Sequence, residues 1–282
     1  MSLPGGDNPR SRRLWSDLGP RLISAAVLVA LAVTALVLGG YVFSGLVGAA
    51  FAGAYREWET MVTLKPLTPL GMVLIGLVFL SSLAYPLWGL PAIAATHAMA
   101  CVIAIIARGG AVVWRIAGLA FVGLVIAAIL SLRDAGQAGI IACVFVGTVV
   151  WMTDTGAFFT GRQVGGEKLA PDISPSKTWS GALGGLAIGA ISGSLVWMVF
   201  TDSPAWIGAM IALAMSVCGQ IGDLAESGLK RRFRVKDSGD IIPGHGGLMD
   251  RLDSLTFAVL FAVAIGLLHM GPASVAQGLI FW

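Results

Sequence analysis

The 282-residue chain is 57% hydrophobic and only 12% Asp, Glu, Lys or Arg, with a mean hydropathy of +0.87. Soluble domains carry about 25% charged residues, so a soluble globular enzyme, a disordered chain and a disulfide-stapled secreted module are all excluded. Lipid is the solvent for most of this sequence, and a formal net charge of +3 is too small to call for a nucleic-acid partner.

In chain order, residues 1–21 form a polar segment with Arg10, Arg12, Arg13 and Arg21, read as cytoplasmic. The apolar run after it suits a signal anchor better than a cleaved leader. A bilayer core of about 30 Å takes ~20 apolar residues per helix. On that rule the expected spans are 22–38, 41–55, 70–85, 88–107, 112–132, 138–159, 181–201, 204–222 and 254–271. The fold expected is therefore an all-α polytopic bundle of about nine transmembrane helices. Residues 22–137 form its N-terminal helices, and 138–271 a catalytic domain with cytoplasmic loops at 160–180 and 223–253. The apolar tail 272–282 is expected at a membrane interface. The 38 glycines fit close helix approach. Cys101, Cys143 and Cys218 sit in apolar runs without metal-ligand spacing and read as small buried side chains. His97 and His269, also in apolar stretches, read as structural.

Charge tests this layout. With the N-terminus inside and the C-terminus outside, all 18 Lys and Arg except Arg133 fall on the cytoplasmic side. That is the bias the positive-inside rule demands. Of the 15 acids, only Asp134 and Asp202 fall outside. The rest join the basic residues, concentrated in the loops after the sixth and eighth spans.

Asp154, in the cytoplasmic half of the sixth span, is an ionisable group in an apolar run and so a functional candidate. It also reads as the partner of a nearby Arg or a cap at a helix break. Gly161, Arg162, Gly165, Gly166 and Lys168 follow, then Ser174, Pro175, Ser176, Lys177 and Thr178. Gly-rich turns with Lys and hydroxyls suit a polyphosphate, although Lys177 alone reads equally as an interfacial anchor.

After the eighth span, Asp223, Glu226, Ser227 and Lys230 lie on one face if the helix continues. The basic run from Lys230 to Arg234 also reads as an exit turn attracting anionic lipid. Asp250 and Asp253 share a face at the start of the last span. With Asp223 they make an all-oxygen set suited to Mg²⁺, or they simply complement a helix dipole. The Gly244-His245-Gly246-Gly247 turn leads into that helix start, where free N–H groups favour an anion. His245 either hydrogen-bonds a phosphate or fixes the turn.

Read together, Ser227-x-Leu229-Lys230-Arg231, Lys236-Asp237-x-Gly239, Ile242-Pro243-x-His245-Gly246-Gly247-Leu248 and Asp250-Arg251-Leu252-Asp253 resemble the diagnostic motif of phosphatidate cytidylyltransferases. The stretch Asp154-Thr155-Gly156-Ala157 through Ser174-Pro175-x-Lys177-Thr178 resembles that family's upstream motif. It departs from it at Ser176 and Ser180, where the family more often has Lys and Glu. The resemblance covers the C-terminal half.

The resemblance implies transfer of CMP from CTP to phosphatidate at the cytoplasmic face of a bacterial-type inner membrane. It implies catalytic roles for Asp223, Lys230, Arg231, Lys236, Asp237, His245, Asp250, Arg251 and Asp253. Substrate binding would fall to Asp154, Lys168, Ser174, Lys177, Thr178, Glu226, Ser227, Gly246 and Gly247. Asp223, Asp250 and Asp253 would hold Mg²⁺, with K⁺ as a second cation, and the family suggests a homodimer. Three rivals stay open. They are a homologue using a prenyl-ether lipid phosphate, an ion-coupled transporter built on Asp154, Asp223 and Asp250, and a non-catalytic anionic-lipid binder.

Overall fold

A computed structural model describes residues 26–239, 241 and 246–282. The N-terminal arginines and His245 lie outside the described residues. The described chain is helical: α1 Ala26–Leu38, α2 Gly40–Thr63, α3 Pro69–Trp88, α4 Leu90–Ile106, α5 Val112–Arg133, α6 Gly136–Val164, α7 Trp179–Phe200, α8 Ala205–Arg232, α9 Met249–Met270 and α10 Val275–Ile280. Helices α3, α5, α6, α7, α8 and α9 are each long and apolar enough to cross a membrane. Many of their large side chains face outward with nothing of the protein over them, as with Leu268 at 85% exposed and Val199 at 73%. Such surface is stable only against lipid. The chain is a helical integral membrane protein.

Three expected spans fall on helices outside that set. Helices α1 and α4 are shorter, and α2 runs on past residue 55 to Thr63, carrying Arg56, Glu57 and Glu59 in its last turns. Charge does not end the helix there because two of the three acid and base groups have partners inside the protein. Glu59 is buried and takes a bidentate pair from Arg115 of α5, with Nη2 at 2.7 Å and Nε at 3.0 Å. Glu57 is buried against the chain before α9. Trp58, between them, donates its indole N–H to the Trp114 carbonyl at 2.9 Å.

The helix ends sort into two groups. At one, Arg133 donates to the Leu36 carbonyl at 2.6 Å, the Tyr85 hydroxyl to Asp134 at 3.3 Å, and the Ser203 hydroxyl to the Ile280 carbonyl at 3.0 Å. The other holds nearly every remaining charge among the described residues. The apolar tail folds back as a 3₁₀ turn, Pro272–Ser274, and α10, whose Val275, Ala276, Leu279 and Ile280 are buried against the bundle. Phe281 and Trp282 at its end stay exposed.

The tightest packing joins α6 and α7. Gly181, Gly185, Gly189 and Gly193 form a buried stripe one turn apart, and a Cβ on Gly185 would lie 2.6 Å from the Thr153 carbonyl oxygen. Backbone contact of this kind needs a residue without a side chain. It sets α7 firmly beside Asp154.

Candidate functional site

Between α6 and α7 the loop forms a feature absent from the all-α expectation, an antiparallel hairpin of β1 Lys168–Ala170 and β2 Ser174–Thr178, with Lys168 opposite Thr178. Thr178 then caps α7, its Oγ1 accepting the Gly181 N–H at 3.1 Å. Ser180 donates to the Gly165 carbonyl. Helix α8 overruns its expected end at residue 222 and continues unbroken through Asp223, Glu226, Ser227 and Lys230 to Arg232, which puts these four on one face. Thus the two loops that hold most of the sequence complexity approach each other.

They enclose a cavity of about 700 Å³. Asp154 and Arg162 of α6 line it, with Lys168 and Lys177 of the hairpin, Gln220 and Asp223 of α8, and Asp250, Arg251 and Asp253 of α9. Lys177 Nζ pairs with Asp223 Oδ2 at 2.6 Å, tying the hairpin to α8. Lys230 Nζ pairs with Asp250 Oδ1 at 2.5 Å and with Glu226 Oε1 at 3.5 Å, tying α8 to α9. Ser254 reaches Asp154 Oδ1 at 3.5 Å. The Asp250 Oδ2 atom accepts from Ser238 N–H at 3.3 Å, Ser238 Oγ at 3.0 Å and Gly247 N–H at 3.2 Å.

The acids crowd one another. Asp154, Asp223 and Asp253 interact electrostatically, as do Glu226, Asp250 and Asp253. Five carboxylates thus gather at this end of the helices, with Lys177 and Lys230 paired to three of them and Arg162, Lys168 and Arg251 also on the cavity lining. Among the described residues no three ligating side chains converge as a ready-made cage. Mg²⁺ needs no such cage, since it is held by one or two carboxylates and completes its shell with water and substrate phosphates. The grouping of carboxylate oxygens beside a roomy polar cavity fits that mode of binding.

Not every sequence candidate reaches the cavity. Arg231 is exposed and donates instead to the Ile173 carbonyl at 3.3 Å. Lys236 and Asp237 are exposed and outside the lining, and Ser174 is buried in β2. Ser227 is half-buried on α8, again outside the lining, and Glu226 meets the site through Lys230 and Asp253. Gly246 has a φ of +79° and a Cβ there would stand 3.9 Å from Asp250, so it shapes the approach to α9. Residues that sequence reasoning missed are Gln220, Ser254, Ser238 and Glu57. Gln220 carried a signal, being polar in an apolar run one helical turn before Asp223.

A second cavity, about 350 Å³ and almost wholly apolar, opens beside the first, lined by Phe51, Trp58, Phe121, Leu252 and Phe257. Asp253 lines both, and Glu226 borders the second.

The fold and this site define an integral membrane protein with a roomy, charged cavity at one end of its helices. The sequence matches the model of the cytidylyltransferase family over residues 19–269, and the chain belongs to that family. It is similar to the phosphatidate cytidylyltransferase of Brucella suis biovar 1 (strain 1330), 44% identical over 159 residues, or 56% of this chain and 59% of the relative. It is also similar to the enzyme of that name from Bacillus subtilis (strain 168), 41% identical over 142 residues, or 50% of this chain and 53% of the relative. The matched stretch thus spans just over half the length of these curated relatives.

Proposed function

We propose that this protein is a phosphatidate cytidylyltransferase, which joins CTP and phosphatidate to give CDP-diacylglycerol and pyrophosphate. The observation that carries the reading is the meeting of a polar and an apolar cavity at Asp253. A substrate with one phosphate end and one hydrocarbon end fits such a junction, and the relatives' shared name supports the choice of substrates. In the transfer, an oxygen of the lipid phosphate forms a bond to the α-phosphorus of CTP as the bond from that phosphorus to pyrophosphate breaks. The attacking oxygen is already anionic near neutral pH, so no residue has to remove its proton.

The protein's work is then placement and charge balance. Lys168, Lys177 and Arg162 line the wall formed by α6 and the hairpin, where they meet the triphosphate of CTP. Lys230 holds Asp250 and Glu226 in register across α8 and α9. Asp223, Asp250 and Asp253 would hold Mg²⁺, with K⁺ as a second cation on the family resemblance. Bound there, the metal would neutralise charge on the reacting phosphates.

The positive-inside bias supports a cytoplasmic site in a bacterial plasma membrane, with the C-terminus outside. A reporter fused after Trp282 is expected to read as external, and a cytoplasmic signal overturns that orientation. For the chemistry, full-length protein in detergent is given labelled CTP, phosphatidate and Mg²⁺. Release of pyrophosphate with formation of CDP-diacylglycerol is expected. Absence of both products overturns the reading.

A further inference from the structure

Glu57 lies on α2, far in sequence from every motif residue, and only 2% of its surface is exposed. Its Oε1 accepts the Leu248 N–H at 2.9 Å. Its Oε2 accepts the Met249 N–H at 2.8 Å and stands 2.9 Å from the Ser238 hydroxyl. Leu248 and Met249 are the cap position and first residue of α9, the helix that carries Asp250 and Asp253. The first N–H groups of any helix lack partners within it, and a Leu cap has no side-chain acceptor to offer. Glu57 supplies one from another helix.

The same carboxylate reaches the site through Ser238. The Ser238 hydroxyl stands 3.0 Å from Asp250 Oδ2, so its one proton lies between Glu57 and Asp250. Two motif glycines are shaped to this contact. A Cβ on Gly239 would lie 2.8 Å from Glu57 Oε1, and one on Gly247 would lie 2.8 Å from both Glu57 Oε2 and Asp250 Oδ2. One turn before Glu57, a Cβ on Gly53 would lie 2.7 Å from the Leu248 side chain. Helix α2 thus grips the approach to α9 at two successive turns.

We infer that Glu57 is a positioning residue, which caps α9 and, through Ser238, fixes the orientation of the Asp250 carboxylate. Replacing its carboxylate by an amide places an N–H donor against N–H and O–H donors, and Asp250 loses its aim. The kinetic half of the test rests on the transfer proposed above, and the structural half does not.

The experiment compares wild type with Glu57→Gln, Glu57→Asp and Ser238→Ala as full-length proteins in detergent. Hydrogen exchange over residues 236–253 is read together with steady-state kinetics. In Glu57→Gln, kcat is expected to fall about tenfold or more while the KM for CTP stays within about threefold, the pattern of a misplaced group rather than a lost binding contact. The Leu248 and Met249 amides are expected to exchange faster, and Glu57→Asp to recover part of both properties. Ser238→Ala, which removes a single hydroxyl, serves if Glu57→Gln does not fold, and is expected to lower kcat with the cap amides still protected. Unchanged kcat in Glu57→Gln, or in Ser238→Ala where that variant stands in, overturns the inference, as does unchanged exchange at the cap amides in Glu57→Gln. A wild type without turnover counts against the transfer reaction alone, since protection of those amides by Glu57 is still read.

Discussion

Helices α7 and α9 both begin at the charged cavity, and they begin in opposite ways. Helix α7 carries its own cap, since Thr178 immediately precedes it and accepts the Gly181 N–H. The hairpin before it is likewise local, closed by pairs such as Trp179 N–H to the Glu167 carbonyl at 3.0 Å. Helix α9 has Leu248 at its cap position and no side chain of its own there. Its start is held by Glu57, 191 positions away. The wall presenting basic groups to the cavity is thus built from neighbours in sequence. The wall presenting acids depends on the N-terminal helices being in place.

The sharpest way to strain that contrast is to disable the acidic wall at its centre. Asp250 accepts from Lys230 on one oxygen and from Ser238 and Gly247 on the other. An amide in its place must turn an NH₂ group toward one of these donors. Asp250→Asn is expected to cut turnover by about 100-fold or more, with the protein still folded in the membrane. Product formation by the purified variant is the measurement, and near-normal activity removes Asp250 from the chemistry. Asp223→Asn should behave alike, because Asp223 faces the cavity from α8 and meets the hairpin only through Lys177.

The basic wall should respond differently. The Lys177 side chain is partly exposed, but its ammonium nitrogen is buried at 2.6 Å from Asp223, so its removal also leaves Asp223 without this partner. Its charge is available to the triphosphate. Lys177→Ala is expected to raise the KM for CTP about tenfold, roughly the loss of one charge-assisted hydrogen bond, with a smaller change in kcat. A fall in kcat at unchanged KM would place Lys177 with the acids in the transfer step.

This contrast also explains what could be read from the sequence. Apolar runs located the helices well, because lipid demands them. The one-face placement of Asp223 to Lys230 was conditional on α8 continuing past residue 222, where the expected span ends and a loop begins; the helix runs on to Arg232. Helix α2 was harder, since Arg56, Glu57 and Glu59 look like charges at a membrane face. Arg56 is indeed exposed, but the burial of Glu59 and Glu57 depends on Arg115 and on the approach to α9, both remote in sequence. The hairpin was hidden because Ser174-Pro175-Ser176-Lys177-Thr178 has turn composition and pairs only when closed against Lys168. Gly239 and Gly247 stood out in the motif, and a phosphate-binding turn is the natural reading of such glycines. In the structure Gly239 abuts the Glu57 carboxylate, and Gly247 abuts the Ser238 hydroxyl with the Glu57 and Asp250 carboxylates just beyond it.

The gentlest probe concerns the local start of α7. Thr178 faces the cavity and caps the helix with the same side chain. The capping contact is certain to matter for stability whatever substrate does, because a helix start deprived of its side-chain acceptor loses about 1 kcal/mol. Thr178→Ala is therefore expected to lower the denaturation temperature modestly in detergent, and Thr178→Ser, which keeps the hydroxyl, to restore it. The neighbouring Ser180 hydroxyl lies 3.1 Å from Thr178 Oγ1 and also donates to the Gly165 carbonyl. With that proton committed, the Thr178 hydroxyl is the donor across this contact, and its lone pair remains for the Gly181 N–H. An alanine variant as stable as wild type would show that the hairpin alone fixes the start of α7. The basic wall would then owe its geometry to strand pairing rather than to the cap.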